Sequence, residues 1–326
     1  MRVGRTRTAL ATFVCLATVL QGSAGNARAQ DARSSGDLAK QLGVNSVSKG
    51  TSSWLEKRKS LAVLPLNGLN PQQRSRADVV VKSLSQFRRL PTIQTAIEPE
   101  VYTYFLAQPD VAVSLWRVMG ISEFQLNQTS RVQFSADAGD GSRGTAEMLY
   151  RDNRQCLVLV NGFYKNPVLT KPISARALVH LQFQFTQTRA GQPPMLTQSI
   201  AAFISFPSTA VKTVAKVISP VTNRIMDRNA VEIAAFMKVM SDSMQTRPQW
   251  VQGMSKRMQG VAPIRRTELS NMAAQVNTKA KARNLQAYLK RSQGKVDPRT
   301  QVMQITNPSG GVVRRASQTR LYQPRR

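Results

Sequence analysis

The segment between residues 124 and 206 constrains the fold most, because it contains five strand-like runs with only short turns between them. Apolar and polar side chains alternate along several of these runs, for example in "FQLNQTSRVQF" and "LVHLQFQFT". Alternation with a period of two residues is typical of a β-strand that is buried on one face. Since short turns join antiparallel neighbours, the segment predicts an antiparallel meander.

One of the connections, "GDGSRGT" at residues 139–145, has the glycine content of a phosphate-binding loop. Such a loop lies between a strand and a helix, so that backbone N–H groups at the helix N-terminus face the anion. Here the stretch lies between two strand-like runs and lacks the lysine of a Walker motif. The sequence therefore predicts a hairpin turn in which the glycines adopt positive φ angles.

A long helical pattern follows the strands. After Pro207, apolar residues recur at helical spacing as far as Met244, and Pro220 is expected to kink or divide this helix. One face of such a helix has to be covered by the sheet. The fold class predicted is α+β, with about six antiparallel strands packed on a long C-terminal helix.

The elements before the meander are expected to be one strand and several helices. Residues 61–67, "LAVLPLN", form a short apolar run that predicts the first strand. Asn70 is expected to cap a helix that stops at Pro91. Between Pro99 and Gly120 the pattern indicates two short helices or one broken helix.

The first 29 residues have the pattern of a secretory signal peptide. Three arginines precede an apolar run from Ala9 to Leu20, and the small residues Ala27 and Ala29 precede the expected cleavage position after Ala29. The run is shorter than the roughly 20 apolar residues of a membrane span. We therefore expect export to the periplasm or beyond the cell, with no transmembrane segment in the mature chain. Cys156 is then its only cysteine, which excludes an internal disulfide.

Composition divides the rest of the chain into three parts. Residues 30–60 are rich in Ser, Gly and Lys and predict a flexible leader. Residues 61–250 carry the apolar patterning and are expected to form one domain. In residues 251–326, basic residues far outnumber the two acidic ones, Glu268 and Asp297. This part is predicted to be a disordered or partly helical basic tail.

The formal net charge of +29 predicts an anionic partner. For an exported protein that partner is an envelope surface of lipid head groups or acidic polymers, contacted through the tail. Only Tyr288 and Tyr322 interleave with the basic residues of the tail, whereas proteins that bind single strands stack bases on aromatic side chains. No nucleic-acid partner is therefore expected.

The predicted order of elements is strand, two helices, a run of antiparallel strands and one long helix. In this order the chain resembles the helix-grip fold of the START-like, or SRPBCC, superfamily. The resemblance covers about residues 61–246. It implies a curved sheet wrapped around the terminal helix, enclosing a cavity that in relatives holds lipids, sterols or other apolar molecules.

The residues themselves leave two alternatives open, a ligand cavity and a plain packed core. One strand face carries Leu181 and two phenylalanines, opposite a helix stripe rich in methionine. The predicted cavity lining consists of residues from these strands and from the helices on either side of them: Trp116, Arg117, Met119, Leu181, Phe183, Phe185, Phe203, Met226, Asp227 and Met237.

Two groups in this lining have a sharper interpretation. Asp227 places a charge in the middle of the long helix and, if it points inward, needs a partner such as Arg117 or Arg176. The alternative is a solvated helix face. Trp116 and Met119 share one side of a helix end with Arg117 beside them, which fits either core packing or the mouth of a cavity.

The sequence predicts no catalytic residue, metal site or cofactor. His180 is the only histidine, so any mechanism that needs two is excluded. Cys156 and His180 are a conceivable nucleophile and base, but Cys156 occupies a position where a small apolar residue is expected. The function expected is non-catalytic binding of an apolar or amphipathic small molecule, including lipids. The alternatives are a solid structural or adaptor protein of the envelope and an enzyme of unknown reaction.

Overall fold

The computed structural model describes residues 37–165, 173–187, 191–207 and 209–293. The expected signal peptide and the last 33 residues of the basic tail lie outside the described residues. The strands are β1 Asn45–Ser48, β2 Gln86–Arg89, β3 Thr92–Ala96, β4 Gln125–Gln128, β5 Gln133–Asp137, β6 Ser142–Arg151, β7 Gln155–Tyr164, β8 Ile173–Thr186 and β9 Met195–Ser205. The helices are α1 Trp54–Ala62, α2 Pro71–Lys82, α3 Pro99–Ala107, α4 Pro109–Val118, α5 Thr209–Thr246, α6 Pro248–Arg257 and α7 Pro263–Gln293.

All nine strands belong to one antiparallel sheet with the order β1-β3-β9-β8-β7-β6-β5-β4, and β2 also pairs with β9. The strands β2 and β3 lie end to end along β9, where β2 pairs with residues 201–204 and β3 with residues 195–198. From β4 to β9 every strand pairs with the next one along the chain. The predicted antiparallel sheet is confirmed, although in the described part of the chain it has nine strands rather than about six.

Both faces of the sheet are buried. The inner face carries the cross-strand row Val158, Val179 and Ala202 and packs in the larger core with α3 to α7. The outer face carries the row Leu159, Leu178 and Phe203, which packs with residues of α2 and the segment before it. The sheet is therefore the middle layer of the molecule, and side chains that alternate along a strand enter two different cores.

The additional strands have identifiable origins. The first strand-like run divides at residues 129–132 into β4 and β5, which pair as a hairpin. The strand expected at residues 61–67 is instead the end of α1 followed by a 3-10 turn at Leu66–Gly68. The apolar residues of this segment pack against the outer face of the sheet, but they lie in a helical conformation and not in a strand. The sequence did not predict β1 and α1, which lie in the segment expected to be flexible.

The helix capped by Asn70 has the expected start but ends earlier than expected. Asn70 accepts a hydrogen bond from the backbone N–H of Gln73, whose side chain accepts one from the N–H of Asn70. The helix ends at Lys82, and Phe87 lies in β2 opposite Phe203, with ring centroids 5.3 Å apart. Pairing with β9 therefore prevails over the helical spacing that extends to Phe87.

The predicted hairpin at residues 139–145 is confirmed, because this segment joins the paired strands β5 and β6. Gly139 and Gly141 have φ angles of 73° and 94°. The carboxylate of Asp137 accepts a hydrogen bond from the N–H of Gly139 at 2.8 Å. The stretch has the local geometry of a turn, and no helix follows it.

Residues 251–293, which were expected to belong to a separate basic tail, pack against the same core. Residue 250 lies inside α6, and α7 packs against α5 and α6. Leu269, Ala273 and Val276 on α7 are fully buried in the larger core. This spacing of four and three residues places them on one helix face. None of the helices in the described ranges is long and apolar enough to cross a membrane.

A candidate apolar cavity

A cavity lies between the inner face of the sheet and the helices α3 and α5. Helix residues at its wall include Phe105, Leu106, Ala230, Ile233 and Met237. Strand residues at its wall include Ala146, Met148, Cys156, Val179, Leu181 and Ile200. Its volume is about 90 Å³, smaller than the roughly 300–1,000 Å³ of pockets that enclose a drug-sized ligand. The cavity therefore has room for a small apolar group or for one end of a longer molecule.

The side chains at the wall are almost entirely apolar. Gln198 on β9 is the single amide among the lining residues, and none of those residues is charged. The hydroxyl of Tyr102, on α3, donates a hydrogen bond to Oε1 of Gln198 at 2.8 Å. Tyr102 is fully buried, and burial raises the pKa of its hydroxyl well above the ordinary value. The pair remains uncharged at physiological pH.

Three lining residues mark the side of the cavity nearest to solvent. Leu106, Pro109 and Met148 are only partly buried, whereas most of the wall is fully buried. Arg151 follows on the same strand as Met148, after an irregularity in the register between Met148 and Tyr150. Its guanidinium donates to the backbone oxygen of Thr103 at 3.1 Å. A basic side chain therefore lies at the end of the strand that lines the cavity.

The predicted lining residues divide into several groups. Leu181 and Met237 line the cavity. Trp116 packs edge-to-face on Phe236 with ring centroids 5.5 Å apart, as the core alternative expects. The larger core around the cavity also contains, in full or partial burial, Met119, Phe183, Phe185 and Met226.

Two further residues of the predicted lining lie away from the cavity. Phe203 lies on the outer face, in the core beneath α2, and so cannot line a cavity on the inner face. Arg117 is partly buried at the end of α4, where its Nη1 lies near Gly260. Neither residue is at the wall.

Asp227 forms an ion pair with Arg88 on β2, rather than with Arg117 or Arg176. The two guanidinium nitrogens Nε and Nη2 of Arg88 each donate to one carboxylate oxygen. The side chains are 13% and 24% exposed, so this is neither a cavity group nor a solvated face. Burial raises the pKa of Asp227, although the hydrogen bond from Arg88 opposes this effect. Gly50 lies so close that a Cβ there would be 2.5 Å from Oδ1 of Asp227.

Sequence reasoning missed Gln198 at the wall and Tyr102, the residue that donates a hydrogen bond to it. A signal for Gln198 is present in "LTQSIAAF", where the inner-face positions are Leu196, Gln198, Ile200 and Ala202. A single amide in an otherwise apolar row is uncommon in a packed core, because a buried amide needs hydrogen-bond partners. Nothing in the spacing points to Tyr102.

Cys156 and His180 lie on opposite faces of the sheet and cannot act as a nucleophile and its base. Cys156 lines the cavity, and burial raises the pKa of its thiol to about 12. His180 lies on the outer face, where its Nε2 donates to Oε1 of Gln155 at 2.8 Å. Burial lowers the pKa of His180 to about 4. In the described ranges no three His, Cys, Asp or Glu side chains are grouped so that they could hold a metal ion.

Comparisons with known proteins give similarity in structure alone. No family model and no curated protein match the sequence. A conserved protein from Geobacillus kaustophilus is 13% identical, with a TM-score of 0.32 over 47% of this chain and 93% of that one. A protein from Mycobacterium smegmatis is also 13% identical, with a TM-score of 0.26 over 47% of this chain and 91% of that one. Both scores are below 0.5, so neither likeness indicates a function for this chain.

Proposed function

We propose that this chain is an exported, non-catalytic protein that binds an apolar or amphipathic small molecule between its sheet and helix α5. The observation that carries the proposal is the cavity itself, whose wall comes from both elements and contains no charged side chain. An apolar void of this kind stays dry, and an apolar ligand that fills it gains contacts that water cannot make. Export is inferred from the pattern of the first 29 residues.

The element order supports a helix-grip fold of the START-like kind. The strands β2 and β3 precede the two helices α3 and α4, six antiparallel strands follow, and α5 comes last. The strand β3 lies beside β9, so the first strands of the unit pair with its final strand. Pro220 lies within α5. The helices α1, α2, α6 and α7 are additions to that unit, and they cover the outer face and the far side of α5.

The partner proposed for the C-terminal part is an anionic lipid surface. Residues 294–326 contain seven basic residues and one acidic residue. The end of α7 presents Leu285, Tyr288 and Leu289 to solvent, and Tyr288 is 68% exposed. The exposed side chains of Lys281 and Lys290 lie on the same last turns. Apolar and aromatic side chains flanked by lysines fit a membrane interface better than a purely acidic polymer, which offers no apolar phase.

The experiment that tests the cavity is ligand-induced thermal stabilisation, measured on the protein exported with its own leader. A phospholipid, a sterol and a medium-chain methyl ester are added in turn, and native mass spectrometry identifies any molecule that co-purifies. At least one ligand should raise the melting temperature, since binding to the folded state alone stabilises it.

A matched pair of variants on β6 locates the binding. Ala146 lines the cavity, and its neighbour Thr145 is exposed on the opposite face. Ala146→Leu should fill the void and abolish the ligand-induced shift, whereas Thr145→Leu should keep it. Filling a real void should cost less than the roughly 1–3 kcal/mol of overpacking a dense core. A shift that survives in Ala146→Leu contradicts the proposed cavity.

A second candidate function is a structural or adaptor protein of the envelope with a solid domain. The small cavity volume of about 90 Å³ favours it. In that case no ligand alters the melting temperature, no molecule co-purifies, and binding to anionic surfaces through the C-terminal part remains. An enzyme is the least supported function, because Cys156 and His180 lie on opposite faces of the sheet.

A further inference from the structure

The orientation of the Gln198 carboxamide defines what the cavity offers to a ligand. Gln198 is 5% exposed and lies at the cavity wall. Its Oε1 accepts the hydrogen bond from the hydroxyl of Tyr102. Its Nε2 carries two N–H donors, and the one side-chain hydrogen bond that Gln198 makes to the described residues involves Oε1. The two donors are therefore available to an acceptor on a molecule in the cavity, which would gain a hydrogen bond there.

Tyr102 fixes this orientation. Its hydroxyl is fully buried, and Gln198 provides its one hydrogen-bond acceptor among the described residues. If the carboxamide were turned round, its N–H would face the hydroxyl, and the hydroxyl proton would lose its acceptor. The rings of Phe183 and Phe185 pack edge-to-face with that of Tyr102, with centroids 5.1 and 5.8 Å away. The tyrosine ring is therefore held in place, and the amide N–H groups remain on the ligand side.

No positive charge accompanies these donors. The lining residues include no Lys, Arg or His, and Arg151 lies beyond them at the end of β6. An ionised carboxylate placed beside Gln198 would lose its hydration without gaining a cation, which is strongly unfavourable. A carbonyl oxygen loses much less hydration and accepts the N–H of an amide well.

From this geometry we infer that the buried part of the ligand is uncharged and presents an oxygen acceptor, such as an ester or ketone carbonyl, to Nε2 of Gln198. This inference rests on the proposed function, since it concerns the ligand of the same cavity. It narrows the ligand from any apolar molecule to a neutral carbonyl-bearing one. A free fatty acid that enters with its carboxylate first is excluded.

The test uses three six-carbon probes, which are hexane, 2-hexanone and hexanoate, at pH 7.5. Dissociation constants are measured for the full chain by NMR titration, with Gln198→Met as the variant that keeps the side-chain length and removes the donors. Gln198→Met should raise the dissociation constant of 2-hexanone by about three- to tenfold, which is the effect of losing one neutral hydrogen bond. The dissociation constant of hexane should not change. Ser199→Ala is the matched control, because Ser199 is the next residue of the strand and lies on the opposite face. It should change neither dissociation constant.

Tyr102→Phe provides a second variant if Gln198→Met fails to fold. It removes the hydroxyl that orients the carboxamide, so it should lower the affinity for 2-hexanone relative to hexane. Equal effects on both probes, or tighter binding of hexanoate than of 2-hexanone, would overturn the inference while leaving apolar binding intact. If the wild-type chain binds none of the three probes, the proposed function fails together with the inference.

Discussion

The carboxylate of Glu98, which is completely buried, contacts the guanidinium of Arg283 at 2.6 Å. Glu98 immediately precedes α3, and Arg283 lies near the end of α7, so the pair joins two distant parts of the chain. Nζ of Lys279 lies 3.4 Å from the same carboxylate, and the N–H of Glu98 donates to the hydroxyl of Ser241 on α5. Part of the basic C-terminal sequence is therefore a structural element that neutralises a buried acid.

Replacement of Arg283 by methionine should lower the free energy of unfolding by about 3 kcal/mol, because it leaves the buried Glu98 carboxylate with only the more distant Lys279. Urea denaturation monitored by tryptophan fluorescence measures this loss. Lys281→Met removes a neighbouring exposed charge and should cost less than about 0.5 kcal/mol. Equal stabilities of the two variants would mean that α7 does not contribute through this pair.

Asp227→Asn should destabilise the protein by about 2 kcal/mol and leave ligand affinity unchanged. The substitution breaks a partly buried ion pair with Arg88, but Asp227 is not at the cavity wall. Chemical denaturation measures the first effect, and the ligand-induced thermal shift measures the second. If Asp227→Asn instead abolished ligand binding and left the stability unchanged, the prediction would be contradicted, and Asp227 would be a residue that recognises the head group of a ligand.

The stability of the protein should fall between about pH 6.5 and pH 4, in part because of His180. Burial lowers the pKa of His180 in the folded chain to about 4, against 6.5 as the ordinary value. The unfolded chain therefore takes up this proton first as the pH falls, which favours unfolding by about 3 kcal/mol across the window. Above pH 6.5 both states are neutral and the effect is absent.

Denaturation of the wild type and His180→Gln at a series of pH values isolates the contribution of this histidine. Burial raises the pKa of other groups, such as the carboxyl of Asp110. These groups titrate in both proteins, so their contributions to the stability cancel in the comparison. The stability of the variant should decline less steeply than that of the wild type below pH 6.5. If the stabilities of the two proteins declined in parallel with falling pH, His180 would not be a cause of the pH dependence.

Replacing both Leu285 and Tyr288 by serine should weaken binding to phosphatidylglycerol vesicles by about tenfold, since two exposed apolar side chains no longer enter the interface. Ile264→Ser, an exposed apolar residue at the other end of α7, is the control and should bind as the wild type does. Vesicle co-sedimentation at increasing salt gives both affinities. If polyphosphate binds as tightly and the double variant is unaffected, the partner is an acidic polymer.

The sequence predicts elements well where the local pattern and the tertiary contacts agree. The strands of the meander are recognisable because turn residues punctuate alternating runs, and α5 because its apolar stripe is long. Phe87 is the opposite case, since its helical spacing is overridden by pairing with Phe203. The basic composition of residues 263–293 also conceals the buried stripe of α7, because small alanines provide part of that stripe.

The residues of the candidate site were predictable only in part. Leu181 and Met237 follow from strand alternation and helix spacing. The prediction that Phe203 lines the cavity is wrong, because alternation divides the residues of a strand into two sets without indicating which set faces which helix. That assignment needs the register with β8, where Phe203 pairs with Leu178 on the outer face. Tyr102 is beyond local reasoning, because its partner is 96 residues away.

The order of the sheet leaves it open, with β1 and β4 as its two outermost members among the described strands. Each of them is only four residues long, and their sequences, "NSVS" and "QLNQ", are mostly polar. Another chain could therefore form only a few backbone hydrogen bonds at either edge, with little apolar surface to cover. Short polar edges of this kind discourage edge-to-edge aggregation. The long apolar strands β7, β8 and β9 lie in the interior of the sheet, where no second molecule can pair with them.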